Sequence, residues 1–207
     1  MERDWREWHA EYDDPSSRLA RRLAIVQQCI RNALDSMAPG PIRVVSMCAG
    51  EGRDLLGVLA DHPRGSDVTG RLVELDSELA ARATARAPVG IEVVCGDAST
   101  SDVYAGAVPA DLILVCGVFG NISDADVEHT VRRLASLCAP GATAIWTRHR
   151  REPDLTVSVR AWFAEAGFDE VVFVGSDDFL FGVGAHRLAV APAPFAPGVR
   201  LFTFTGH

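Results

Sequence analysis

Residues 42–56 read Ile-Arg-Val-Val-Ser-Met-Cys-Ala-Gly-Glu-Gly-Arg-Asp-Leu-Leu, and this stretch decides the fold. Ile42–Met47 is a short apolar run with the look of a buried strand. Gly50 and Gly52 form a G-x-G turn, and an apolar-periodic helix over 54–60 follows. In an open α/β sheet such a turn lies at the carboxyl end of the strands, where ligands bind. Glycines let the backbone approach a ligand closely, and the helix start offers unpaired N–H groups. A dinucleotide site would place a third glycine at position 55, but Leu55 stands there. Asp54 would put negative charge beside a pyrophosphate, so a nicotinamide dinucleotide is disfavoured.

Working outward, strand and helix signals alternate. The pattern predicts strands over 68–75, 91–95, 111–116 and 142–146. Helices are expected over 77–86, from a Ser123 cap to Cys138, and along Leu155, Val159, Trp162, Phe163 and Ala166. Residues 111–116 (DLILVC) are apolar throughout, as befits a parallel strand covered on both faces. Two last strands, 170–174 and 185–191, are separated by about ten residues with no helical pattern, so they pair antiparallel. The expected architecture is α/β: a seven-stranded, mostly parallel, doubly wound sheet with a C-terminal antiparallel hairpin and an N-terminal helical extension. Three segments follow: a lid and helix over 1–41, a binding domain over 42–191 and a tail over 192–207, which could add an edge strand or pack across the surface.

Before the sheet, Asp14-Pro15 reads as an N-cap and first helical residue. Leu19, Leu23, Val26, Ile30, Leu34 and Met37 then mark one core-facing stripe, ending before Pro39-Gly40-Pro41. Trp5, Trp8 and Tyr12 either close over the site as a lid or pack the first helix onto the sheet.

Composition removes several functions. The net charge of −8 disfavours nucleic acid as the main partner. All twenty Lys-plus-Arg residues are arginine, which excludes Schiff-base and P-loop lysine chemistry and points to a GC-rich bacterial genome. The five cysteines, Cys29, Cys48, Cys95, Cys116 and Cys138, are widely spaced without a C-x-x-C pair. They read as buried reduced thiols, not a disulfide framework or zinc site, and no metal is expected. No apolar run is long enough to span a membrane, and the N-terminal residues lack a signal-peptide pattern, so the expected location is the cytoplasm.

Acidic residues recur at the later strand ends. Glu74 closes RLVELD about twenty residues after the glycine turn, where a carboxylate can accept from ribose hydroxyls; by itself it could be a solvated strand end. Asp76 suits the cap of the next helix. Asp97 follows the third strand in VVCGDAST, which alone could be only a turn. Together with PGATAIW and WFAEAGFDEVVFV, these motifs stand in an order that resembles the class I methyltransferases dependent on S-adenosylmethionine (SAM). The resemblance covers residues 42–191. Ser46 and Cys48 depart from that family's first motif, standing where an acid and a glycine are common.

The resemblance implies SAM as cofactor and S-adenosylhomocysteine (SAH) as product, with methyl transfer to a small-molecule acceptor. Cys48, Ala49, Gly50, Gly52 and Asp54 in the first turn would contact the cofactor, Asp54 meeting its amino group. Glu74 and Leu75 would hold the ribose side, and Asp97 with the Ala98 N–H the adenine. Cys116 and Gly117 would lie beneath it. The loop after strand four carries Gly120-Asn121 in place of the histidine pair of many such enzymes. It also lacks the Asn/Asp-Pro-Pro-aromatic motif of amino-methylating DNA enzymes. Tyr12, Asn121 and Arg148 are the candidate acceptor contacts and His149 the candidate base. The run Arg148-His149-Arg150-Arg151 could equally be a solvated loop. His186 reads as structural, and His62 and His129 as outer-surface residues. A SAM-binding protein without methyl transfer, such as a cyclase or a regulatory binder, is the competing reading.

Overall fold

The computed structural model describes Tyr12 and residues 14–205. Helix α1 (Arg18–Ser36) leads into β1 (Ile42–Met47), α2 (Arg53–Leu59), β2 (Val68–Glu74), α3 (Ser77–Arg86), β3 (Ile91–Cys95) and β4 (Ala110–Val115). Then come α4 (Asp124–Leu134), β5 (Cys138–His149), α5 (Thr156–Glu165), β6 (Phe168–Ser176) and β7 (Phe181–Leu188). One seven-stranded sheet results, ordered β3-β2-β1-β4-β5-β7-β6, with β7 antiparallel to both its neighbours. The strand order reverses between β1 and β4, the switch point where an open α/β sheet leaves a crevice.

Both sheet faces are covered, which is why β1 and β4 read as nearly continuous apolar runs. On one face Val44, Leu112 and Ile145 meet Val26, Ile30 and Leu34 of α1 and Leu55 of α2. On the other, Val45, Ile113 and Trp146 meet Val127 and Val131 of α4 and Phe163 of α5. Trp146 can lie flat there because its strand partner is Gly184, where any Cβ would stand 2.5 Å from the indole. No helix among the described residues is long and apolar enough to cross a membrane.

The expected elements form, with several corrections. Helix α1 is capped by Ser17, whose hydroxyl accepts from Ala20 N at 3.0 Å. Asp14 accepts from Ser16 N and Oγ instead, making the turn that precedes the helix. Helix α4 stops at Leu134, not Cys138, and β5 absorbs Pro140-Gly141. A register shift between Ala110 and Leu112 makes room for them, at the kind of bulge where a proline lacking N–H is tolerated.

Because β5 runs on to His149, the first half of the arginine run is strand, whereas Arg150 and Arg151 follow it and Arg151 is exposed. Arg148 is buried, and Arg150 pairs with Asp154 and Asp177. His186 sits within β7, not at its start. It is buried and stacked on Phe163 at 4.4 Å between centroids. His62 is likewise buried, with Asp35 at 3.3 Å, whereas Cys95 is exposed. The tail crosses the surface without adding a strand to the sheet, although Leu201 and Phe202 join the core on the Trp146 side.

Candidate active site

A cavity of about 520 Å³ opens at the carboxyl ends of β1 to β5, within the size range of small-molecule and cofactor sites. Its floor is the first turn. Cys48, Gly50 and Gly52 all have positive φ, at 51°, 56° and 67°. At Gly52 a side chain would also collide with Leu72 and Leu56, so this turn needs glycine both for its dihedral and for its packing. The turn is tied to β2 at two points: Ala49 N donates to Val73 O at 2.9 Å, and Gly50 N donates to Glu74 Oε2 at 2.7 Å.

Glu74 therefore organises the site as well as facing it. Its Oε1 accepts from Asp76 N at 2.9 Å, and each carboxylate oxygen keeps further lone-pair capacity toward the cavity. Asp76 caps α3, accepting from Glu78 N and Leu79 N. Asp97 lies half exposed at the end of β3. Burial works against its charge, but hydrogen bonds from Ser99 outweigh that and hold its carboxyl below the usual range. Asp54 is buried in the first turn of α2, and desolvation raises its pKa even though Leu55 N donates to it at 2.8 Å.

Five carboxyl side chains line the cavity, those of Glu51, Asp54, Glu74, Asp76 and Asp97, against the guanidinium groups of Arg22 and Arg53. Glu51 is itself bound to Arg53 and Arg82 at 2.8 Å. Such a lining favours a cationic or zwitterionic ligand and repels a pyrophosphate. Apolar surface comes from Leu23, Val26, Leu75, Leu79 and Ala98.

The candidate cofactor contacts other than Gly52 all line this cavity, and so do Tyr12 and Asn121. Gly52 instead starts α2 behind the turn. Tyr12 is held by Arg22, whose Nη2 donates to its hydroxyl at 3.2 Å, and Arg53 lies over its ring. Trp5 and Trp8, the other aromatic residues of the proposed lid, lie outside the described residues. Asn121 Nδ2 donates to Gly117 O at 2.6 Å, and Gly117 N donates to Thr147 Oγ1 at 2.9 Å, which knits the loop after β4 to β5.

Arg148 does not line the cavity. It points to the opposite sheet face, where it binds Phe119 O and Asp124 and so anchors the β4 loop and the start of α4. His149 stands beyond the cavity wall beside Gly120, its Cδ2 3.3 Å from where a Cβ on that glycine would be. Its Nδ1 is buried with no hydrogen-bond partner among the described residues. Burial lowers its pKa, and Arg148, Arg151 and Arg18 lower it further.

Several lining residues escaped the sequence reading. Arg22, Leu23 and Val26 come from α1, whose stripe read only as core. Thr147 comes from β5, and Phe204 and Thr205 from the tail. The alternation Leu201-Phe202-Thr203-Phe204 was the available signal for the tail, but it does not name a neighbour.

No protein-family model matches the chain, and no curated protein sequence does. Solved structures do match. The N-methyltransferase NodS of Bradyrhizobium japonicum WM9, in complex with SAH, is 18% identical at a TM-score of 0.63, covering 86% of this chain and 91% of its own. Magnesium protoporphyrin IX methyltransferase of Synechocystis PCC 6803, with bound SAM, is 11% identical at 0.62, covering 80% and 79%. A "possible exported protein" from Bordetella parapertussis is 20% identical at 0.62, covering 84% and 68%. The fold of this chain is that of the class I SAM-dependent methyltransferases.

Proposed function

We propose that the protein binds SAM in the 520 Å³ cavity and transfers its methyl group to a small-molecule acceptor. The observation that carries this reading is the acid-rich cavity at the switch point, with Glu74 and Asp97 at successive strand ends and the glycine turn between β1 and α2. The residues fit the cofactor. Glu74 would accept from the ribose hydroxyls while its bond to Gly50 N keeps the turn in place. Asp97 and the Ala98 N–H would meet the adenine edge, and Leu75 would lie against the nucleoside. Asp54, with Tyr12 and Arg22 close by, would face the zwitterionic methionine end, where an ammonium partner offsets the cost of its buried charge.

When bound, the sulfonium supplies a methyl carbon open to nucleophilic attack. The chain's own residues orient and shield. Tyr12 closes the cavity from the N-terminal side, and Asn121 and Thr147 hold the β4 loop against β5, so much of the rate would come from positioning. His149 is the candidate base for an acceptor that must lose a proton. In this reading Arg148 positions the β4 loop and makes no direct acceptor contact. Residues 42–191 would form the binding unit, with α1 and the tail as its closures. The negative lining also supports a small acceptor over nucleic acid.

Calorimetry with SAH and with NAD tests the assignment. SAH is expected to bind and NAD to show no heat, because Glu51, Asp54 and Glu74 crowd the place a pyrophosphate would take. NAD binding without SAH binding would overturn it. A SAM-binding protein without methyl transfer has one observation in its favour: no histidine lines the cavity among the described residues. SAH accumulation with candidate acceptors separates the two readings.

Glu74→Ala is expected to weaken SAH by about 1–3 kcal/mol, since it removes charge-assisted acceptors and frees Gly50 N–H and Asp76 N–H together. Asp97→Ala should cost less, because a half-exposed edge is rehydrated. A folded Glu74→Ala variant with unchanged SAH affinity would remove the ribose role.

A further inference from the structure

The tail over 198–205 runs from the loop after β3 to the loop after β4, and nothing about a class I sheet requires it to be there. Val199 and Leu201 exchange backbone hydrogen bonds with Ser99 and Ser101: Ser101 N donates to Val199 O at 2.8 Å, and Leu201 N donates to Ser99 O at 2.7 Å. Thr130 Oγ1 donates to Leu201 O at 2.9 Å. Farther along, Thr203 N donates to Asp126, and Thr205 N and Oγ1 both donate to Asn121 O at 3.1 Å. Phe202 is buried and is the anchor. Phe204 packs edge-on against it at 5.3 Å between centroids, and the residue stays 40% exposed.

Of the large apolar side chains left exposed among the described residues, Leu75 and Phe204 alone line the cavity. Phe204 and Thr205 are part of the cavity wall, on the side formed by Asp97, Ala98, Gly117 and Asn121. Asp97 and Ala98 precede Ser99, and Asn121 is bonded to Gly117, so this half of the wall is the one that the tail's own hydrogen bonds reach. Arg200 also reaches this half, donating to Ser99 Oγ at 2.8 Å and standing 3.8 Å from Asp97.

Resting on the SAM reading above, we propose that the tail completes the nucleoside half of the site, with Phe204 as the aromatic surface against which the adenine packs. The tail spans the two loops that flank the base, so it sets the width of the slot. Its attachment to Asn121 ties that width to the β4 loop, where the acceptor side begins.

The test compares wild type, Phe204→Ala, Phe204→Leu and Phe204→Trp for binding of SAH and of 5′-methylthioadenosine, which lacks the amino-acid end. Base–aromatic stacking is worth roughly 5-fold to 150-fold in affinity. Phe204→Ala is expected to weaken both ligands by the same factor in that range at an unchanged melting temperature. Phe204→Leu should be intermediate, and Phe204→Trp should restore binding, with its added indole emission quenched when ligand enters. If Phe204→Ala and Phe204→Leu bind both ligands as wild type does, the inference is wrong and the ring serves some other surface. If alanine unfolds the tail, the leucine and tryptophan variants decide the matter. Wild-type protein that binds neither ligand overturns the SAM reading itself, and this inference with it.

Discussion

Replacing His149 with glutamine is expected to lower turnover by roughly 10²–10⁴-fold with an acceptor that must be deprotonated, while SAH affinity stays unchanged. Alternation along β5 puts Thr147 in the cavity wall and His149 on the same sheet face one step farther out, beside Gly120 of the β4 loop. It stands outside the residues that line the cavity, beside the β4 loop, and would serve an acceptor that enters on that side. Its Nδ1 is buried with no hydrogen-bond partner among the described residues, so the ring would have to take a proton through Nε2. Burial, followed by the charges of Arg148, Arg151 and Arg18, lowers the pKa from 6.5 and keeps the ring neutral at pH 7. Turnover should accordingly be level above neutrality and fall only at more acidic pH, with the fall absent from the glutamine variant. A loss below about threefold would leave positioning as the whole mechanism.

Acidification is expected to remove up to about 3 kcal/mol of stability between pH 6.5 and pH 4 through His186 alone. The imidazole is buried, and desolvation lowers its pKa to about 4 despite Glu170 nearby. Trp146 Nε1 donates to His186 Nδ1 at 3.2 Å, which leaves the proton on Nε2, facing Glu170 at 3.5 Å. Below pH 6.5 the unfolded chain binds a proton at this residue that the folded chain refuses until about pH 4. Stability is thus full above 6.5 and drains away as pH falls through that window. Hydrogen bonds from Arg160 hold the Glu170 carboxyl below the usual range. Urea unfolding of wild type and His186→Gln across pH 4 to 7 checks this. Glutamine can still accept from Trp146, so the variant's curve should be flatter by the stated amount. Parallel curves would mean that His186 is not the residue responsible.

The glycine-turn side of the cavity was legible because it is built from local chain. Gly50 follows β1, Glu74 ends β2 and Asp97 follows β3, so strand periodicity alone places all three at one sheet edge. Positive φ at Gly50 and Gly52, and the cap at Asp76, are likewise choices made within a few residues. The β7 reversal was legible too, since about ten residues without a helix cannot make a parallel crossover.

Errors gathered where neighbours distant in the chain decide. Pro140-Gly141 reads as a stop, yet pairing with β4 carries β5 through it on a bulge. Arg148 and His149 look alike as polar residues after a strand. Pairing with β7 extends that strand through them and sends Arg148 to an ion pair with the exposed Asp124 and His149 to the side of the β4 loop, beside Gly120.

The sequence by itself determined the doubly wound sheet, the glycine turn and the acids at the strand ends, because spacing of 2 and 3.6 residues and glycine's dihedral freedom act over short range. Only the tertiary structure decided that Glu74 pins the turn it faces, and that Arg22 and Tyr12 from the N-terminal part and Phe204 from the tail share the cavity wall. Those arrangements join residues 10 to more than 80 positions apart. They come from burial and hydrogen-bond satisfaction between packed elements, which no local pattern encodes.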